Sequence, residues 1–208
     1  MPWACDLEMS PRTTHLLYLH GFRSSPQSFK ARRLHEWLTR RQPEVHWWCP
    51  QLPPSPRRAF ELIESGITGW PAATSAVIGS SLGGFYATVV AERTGWRALV
   101  MNPAVDPARD LQRHVGQQSL FHDPSQQFDF RVEYIDELRK LAVPRITLPE
   151  RYAAIIAKGD ELLDWREMTR RYAAATIRLL EGSDHGLSDF DEHLPFVLAF
   201  LGLAIESA

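Results

Sequence analysis

A serine hydroxyl attacks a carbonyl only when a base takes its proton and a carboxylate orients that base. The stretch VIGSSLGGF, residues 77–85, offers two hydroxyls in a glycine-flanked turn directly after an apolar run. A nucleophile at a sharp strand-to-helix turn needs small residues two positions before and after it, because neighbouring backbones pass close there. Ser81 has Gly79 and Gly83 at those positions, whereas Ser80 has Ile78 and Leu82 and fails the requirement. Ser81 is therefore the candidate nucleophile. The pattern by itself is weak, and a glycine-rich structural turn is the plain alternative.

The partners must follow in the order acid, then histidine. Of eight histidines, only His185 and His193 lie well beyond Ser81 and near the end of the expected sheet. His185 sits in EGSDHGLSDF, a glycine-flanked loop before the last helix, while His193 falls inside that helix as a surface or packing residue. His185 is the favoured base. For the acid, IIAKGDELLD places Asp160 just past the carboxyl end of a strand, where sites on open parallel sheets gather. Asp164 reads as an early-helix residue and stays open as the alternative. Asp184 adjoins the histidine, an awkward position from which to orient its ring. Donors for a developing oxyanion are expected from the N–H of Leu82, at the start of the helix, and of Phe22 in LHGF. His20 in the same tetrapeptide reads as a structural hydrogen-bonding residue.

The elements that must position these groups alternate along the chain. Compact apolar runs end in glycine or proline at HLLYLHGF, VHWWCPQL, SAVIGSS, RALVMNPA, RYAAIIAKGD and ATIRLLEG. Helical patterns lie between and after them. Ser25 with Pro26, and Ser55 with Pro56, read as helix starts, and Gly95 as a helix end. The pattern predicts an α/β fold: a mainly parallel central sheet of about six strands with helices on both faces, in one domain spanning 1–208. Residues 106–149 break the alternation, being polar and punctuated by proline, and read as a small insertion or cap. Trp47 and Trp48 read as core, and KARRLHEWLTRR as a solvated helix face rather than a site for a phosphorylated tail.

Composition narrows the classes. The chain has 208 residues, is 44% hydrophobic and carries a formal net charge of -2, which argues for a globular domain and against nucleic acid as a partner. With only Cys5 and Cys49, neither a disulfide framework nor a cysteine metal site is expected. No phosphate loop or metal-ligand spacing occurs, so no cofactor and no metal are expected. The start lacks a secretory pattern, and LPFVLAFLGLAI is too short to span a bilayer, giving the expectation of a soluble cytoplasmic protein of unknown oligomeric state.

YLHGFRSSPQSFKA, GSSLGGFYAT, NPAV from Asn102 and GDELLDWR from Gly159 occur in that order, ahead of SDHG. Together they resemble the α/β-hydrolase superfamily and, more narrowly, the small bacterial YqiA-like esterases. The resemblance implies Ser81 as nucleophile, Asp160 as acid, His185 as base, and the Phe22 and Leu82 amides as oxyanion donors. It also implies action on small acyl esters or acyl thioesters. An aminopeptidase or amidase would use the same three residues, and a non-catalytic relative that only binds a ligand is the reading from another class. A halide-releasing enzyme is disfavoured, because it would need a carboxylate at position 81.

Overall fold

The computed structural model describes residues 12–203. Cys5 and the amino-terminal stretch lie outside the described residues. The expected strands become β1 (His15–Leu19), β2 (His46–Trp48), β3 (Ser75–Ser80) and β4 (Arg97–Met101), followed by β7 (Tyr152–Ala157) and β8 (Thr176–Leu180). They pair in the order β2-β1-β3-β4-β7-β8, and every pairing is parallel. Parallel strands need crossovers, and most are helical: α1 (Phe29–Arg41), α2 (Pro56–Gly66), α3 (Leu82–Thr94) and α6 (Trp165–Arg171), with α7 (Phe190–Phe200) closing the chain.

Side-chain alternation along β1 separates the two faces of the sheet. Leu17 and Leu19 join a core with α2, α3 and α6, while Leu16 and Tyr18 join a second core with α1 and α7. Strands β3 and β7 are buried at every position, which is why both read as mainly apolar runs. Helix α3 is buried from Leu82 to Ala91 and is apolar on all sides, as a helix enclosed between sheet and neighbouring helices must be.

Residues 106–149 form a short helix α4 (Pro107–Asp110), an antiparallel hairpin of β5 (Gly116–Ser119) and β6 (Gln127–Phe130), and α5 (Glu133–Leu141). Phe130, Ile135 and Leu138 from this segment are buried in the α2–α3 core. The hairpin was not anticipated, because its strands read GQQS and QFDF and lack a run of alternating apolar residues.

Two local expectations change. Helix α1 starts at Phe29, not after Ser25; the Ser25 hydroxyl accepts from the Gln27 N–H at 3.1 Å and closes a preceding turn. Lys30 is also not part of a solvated face, being 8% exposed. Ser55 does cap α2, accepting from the Arg58 N–H, and Gly95 ends α3 at φ 74°. Trp47 and Trp48 are partly buried, each packed against a different core. Among the described residues no helix is long and apolar enough to cross a membrane.

Candidate active site

In an open parallel sheet, sites form beyond the carboxyl ends of the strands where the connections reverse direction. Here the chain leaves β1 toward β2 on one side and continues through β3 to β8 on the other. The loop after β1 carries Phe22, and the turn after β3 carries Ser81.

Ser81 adopts φ 56° and ψ −121°, a conformation that non-glycine residues rarely occupy and that surrounding structure must enforce. Its N–H donates to the Met101 carbonyl at 3.0 Å, and its carbonyl accepts from the Ala104 N–H at 3.0 Å. The flanking glycines are sterically required. A Cβ on Gly79 would lie 2.1 Å from the Gly83 carbonyl oxygen, and one on Gly83 would lie 1.9 Å from that of Leu19. The loop after β1 also passes close, since a Cβ on Gly21 would lie 3.2 Å from Ser81 Cβ. The Phe22 N–H follows directly from that contact, and the Leu82 N–H is the first of α3, with no carbonyl one turn earlier to accept it.

The three residues singled out from the sequence meet in space. Ser81 Oγ lies 2.9 Å from His185 Nε2, and His185 Nδ1 lies 2.8 Å from Asp160 Oδ2. The Asp160 side chain is fully buried. Its other oxygen, Oδ1, accepts the N–H groups of Leu162 and Leu163, each at 2.9 Å. The two N–H groups fix the carboxyl group and keep Oδ2 aimed at the imidazole, so Nδ1–H donates to it and Nε2 is free to accept from the serine.

The alternatives sit elsewhere. Asp164 caps α6, accepting from the Arg166 N–H at 2.9 Å. Asp184 accepts the Ser188 N–H at 3.0 Å and shapes the histidine loop. His193 is buried in α7 beside Asp189. His20 accepts the Leu52 N–H at Nε2 and donates from Nδ1 to the Gly21 carbonyl at 2.9 Å. Burial holds its pKa down to about 4, so it remains a neutral strut for the loop carrying Phe22.

Two residues brace the histidine loop without having been recognised as doing so. Asn102 is fully buried and stands at φ 40° just after β4. Its amide nitrogen donates to the carbonyls of Asp184 at 2.9 Å and His185 at 3.1 Å, and its oxygen accepts the Ala157 N–H at 2.8 Å. One side chain thus ties the end of β7, which leads to Asp160, to the loop that bears His185. Lys30 reaches from α1 and donates to the next carbonyl, that of Gly186. Burial pulls its pKa down to about 8, while Asp184 and Asp160 draw it back up. Asn102 lies within the NPAV motif, but a lone asparagine after a strand carries no sign of what it will bind.

Asn102→Ala therefore leaves the Ala157 N–H and two loop carbonyls without their partner. Unfolding in urea is expected to report a loss of about 2–3 kcal/mol. Steady-state kinetics are expected to report a lower kcat, because the imidazole loses its fixed aim.

A cavity of about 620 Å³ opens over Ser81 and His185, lined by Phe22, Leu111, Phe121, Leu162 and Leu163 among others. The hairpin is fastened beside it: Phe22 packs edge-on against Phe130 at 5.1 Å, and Arg23 Nε donates to the Ser119 carbonyl at 2.6 Å.

A parallel sheet covered on both faces, with a serine at a strained strand-to-helix turn, is the α/β-hydrolase fold. Solved structures agree on the fold. The chain is 17% identical to one from the metagenome-derived lipolytic enzymes LipS and LipT, with a TM-score of 0.67 over 91% of this chain and 94% of that one. For mouse alpha/beta hydrolase domain-containing protein 10 the values are 15% identity and a TM-score of 0.65 over 90% and 88%. For the esterase domain of a Rhodothermus marinus protein they are 21% and 0.59 over 95% and 88%. Residues 15–202 match the model of the uncharacterised protein family UPF0227, and the chain belongs to that family.

Proposed function

We propose that the protein is a serine hydrolase that cleaves small acyl esters or acyl thioesters through an acyl-enzyme. The observation that carries this reading is the unbroken chain from Ser81 Oγ through His185 to Asp160, with links of 2.9 and 2.8 Å. In the first half-reaction His185 Nε2 takes the Ser81 proton as Oγ bonds to the substrate carbonyl carbon. The carbonyl oxygen, now negative, lies against the N–H groups of Phe22 and Leu82. Removing one such donor from an oxyanion hole costs about 3–4 kcal/mol in the transition state. His185 then gives its proton to the departing alcohol or thiol. In the second half-reaction water attacks the acyl carbon and loses a proton to the same nitrogen; the bond to Oγ then breaks, His185 returns the proton to Ser81, and the acid leaves. Asp160 keeps the imidazole in one tautomer and stabilises its charged form throughout.

The same reading makes residues 106–149 a cap that walls the cavity over Ser81. The seating of Phe22 against Phe130 supports it, because the loop bearing an oxyanion donor and the insertion then form one unit. An apolar wall of Phe22, Leu111, Leu162 and Leu163 suits an acyl chain.

Labelling with a fluorophosphonate probe tests the proposal. The wild type is expected to be labelled at neutral pH and the Ser81→Ala variant to be silent. An unlabelled wild type would overturn the enzyme reading, and equal labelling of both would remove Ser81 from the role of nucleophile. Rates over p-nitrophenyl esters of increasing chain length then define the acyl group accepted.

A further inference from the structure

We infer that the substrate carries an anionic group, a carboxylate or a phosphate, which Arg23 and Arg113 receive at one side of the cavity that holds Ser81. The inference rests on the hydrolase reading above and adds a substrate class to it.

Five lysine, arginine, aspartate and glutamate side chains line the cavity: Arg23, Lys30, Arg113, Asp110 and Glu161. Of the two acids, Asp110 has a counter-charge and Glu161 has only a backbone partner. Asp110 is paired with Arg109 at 2.8 Å, and Glu161 accepts the N–H of His185 at 3.0 Å. Lys30 is engaged as well, through the Gly186 carbonyl. The two guanidinium groups likewise bond only to neutral partners, so three cations and one carboxylate without an ion-pair partner line the cavity. Arg23 donates to the Ser119 carbonyl at 2.6 Å and to its hydroxyl at 3.2 Å, and Arg113 donates to His114 at 3.3 Å. Among the described residues neither has a carboxylate at ion-pair distance.

The two act on the same place. His114, which also lines the cavity and packs against Phe22 at 5.6 Å, has its imidazole pKa lowered by burial and then by both Arg113 and Arg23. Arg23 is moreover held in place rather than trailing in solvent. It follows Phe22 at φ 59°, and its guanidinium lies 4.4 Å over the Phe121 ring. A guanidinium fixed by carbonyl, hydroxyl and ring loses little freedom when it takes a further acceptor. Arg23, Lys30 and Arg113 against Glu161 alone leave the cavity with an excess of positive charge beside the nucleophile, which favours a substrate that brings negative charge itself. The apolar wall alongside suits the uncharged remainder of the molecule.

The test compares substrates that differ only in charge. On the acyl side, p-nitrophenyl pentanoate is set against p-nitrophenyl hemisuccinate. On the leaving-group side, phenyl butyrate is set against its 4-carboxy and 4-phosphooxy derivatives, which separate the two sources of anion. At low ionic strength at least one anionic member is expected to exceed its neutral analogue in kcat/KM by about tenfold, an advantage that shrinks as salt screens the charges. Arg113→Glu and Arg23→Gln are each expected to cut that ratio by about fivefold, the scale of a partly exposed charge pair. Taking the ratio across variants cancels leaving-group reactivity and general loss of folded protein. Neutral substrates preferred or equal on both sides, or a ratio unchanged in both variants, would overturn the inference. Failure of the hydrolase reading looks different: the wild type then turns over no neutral ester and takes up no fluorophosphonate.

Discussion

Ser81→Ala is expected to lower kcat by about a million-fold, the scale of loss when the nucleophile of such a triad is removed. The size follows from the division of labour. Without Oγ there is no covalent intermediate, and His185 has no bound proton to take. What remains is water attack on a substrate held near the Phe22 and Leu82 amides. The variant should fold normally, because position 81 is fixed through its backbone: its N–H is bound to Met101, its carbonyl to Ala104, and Gly79 and Gly83 are packed around it. Alanine keeps the same strained φ and removes one hydroxyl. Steady-state hydrolysis of a p-nitrophenyl ester gives the rate, and urea unfolding verifies the fold. A variant with kcat within tenfold of the wild type would mean that Ser81 is not the nucleophile.

Asp160→Asn is expected to cost about ten-thousand-fold in kcat while leaving the site's shape intact. The two oxygens of Asp160 face different partners, and that asymmetry decides the outcome. Oδ1 accepts from the N–H groups of Leu162 and Leu163, so asparagine must put its carbonyl oxygen there. Its NH2 is then forced into the place of Oδ2, 2.8 Å from His185 Nδ1 in the parent protein. A donor at that point requires Nδ1 to accept, which moves the ring proton to Nε2. Nε2 then faces Ser81 with a proton of its own and cannot take another. The matching control is Asp164→Asn. Asparagine caps a helix as well as aspartate does, so this variant should stay within about twofold in kcat. Equal losses in the two variants would contradict the assignment of Asp160 as the acid.

The pair also marks how far the sequence reached. Spacing around Ser81 distinguished it from Ser80, because the close approach of Gly79 and Gly83 to neighbouring backbone is a steric demand that sequence displays directly. The strands were legible for a similar reason: full burial of β3 and β7 leaves room mainly for apolar side chains, with the small Ser75 and Ser80 at the ends of β3. Asp160 and Asp164, four residues apart, were separable only by their place relative to the end of the strand. Their different hydrogen bonds depend on the path of one loop. Asn102 was out of reach because its three partners lie 55 to 83 residues away along the chain. Lys30 was read with its arginine neighbours as solvated, since nothing local says that the carbonyl of Gly186 will arrive beside it. The β5–β6 hairpin was missed because polar strands lack the apolar signature by which strands are recognised.

These residues share one consequence. The loop bearing His185 has three consecutive carbonyls, of residues 184, 185 and 186, bound by Asn102 and Lys30 from two other elements. The imidazole is thus aimed from behind before any substrate arrives, which is the form of preorganisation that acyl transfer rewards.

The central claim is that Ser81 becomes acylated during turnover. Its most direct measurement is mass spectrometry of the whole protein, acid-quenched within milliseconds of mixing with a p-nitrophenyl ester and followed by peptide mapping. The account predicts a mass increase equal to one acyl group, located on the peptide containing Ser81 and absent from Ser81→Ala. An acyl group carried on a different residue, or turnover with no acylated protein even when the Asp160→Asn variant is used to slow deacylation, would contradict it.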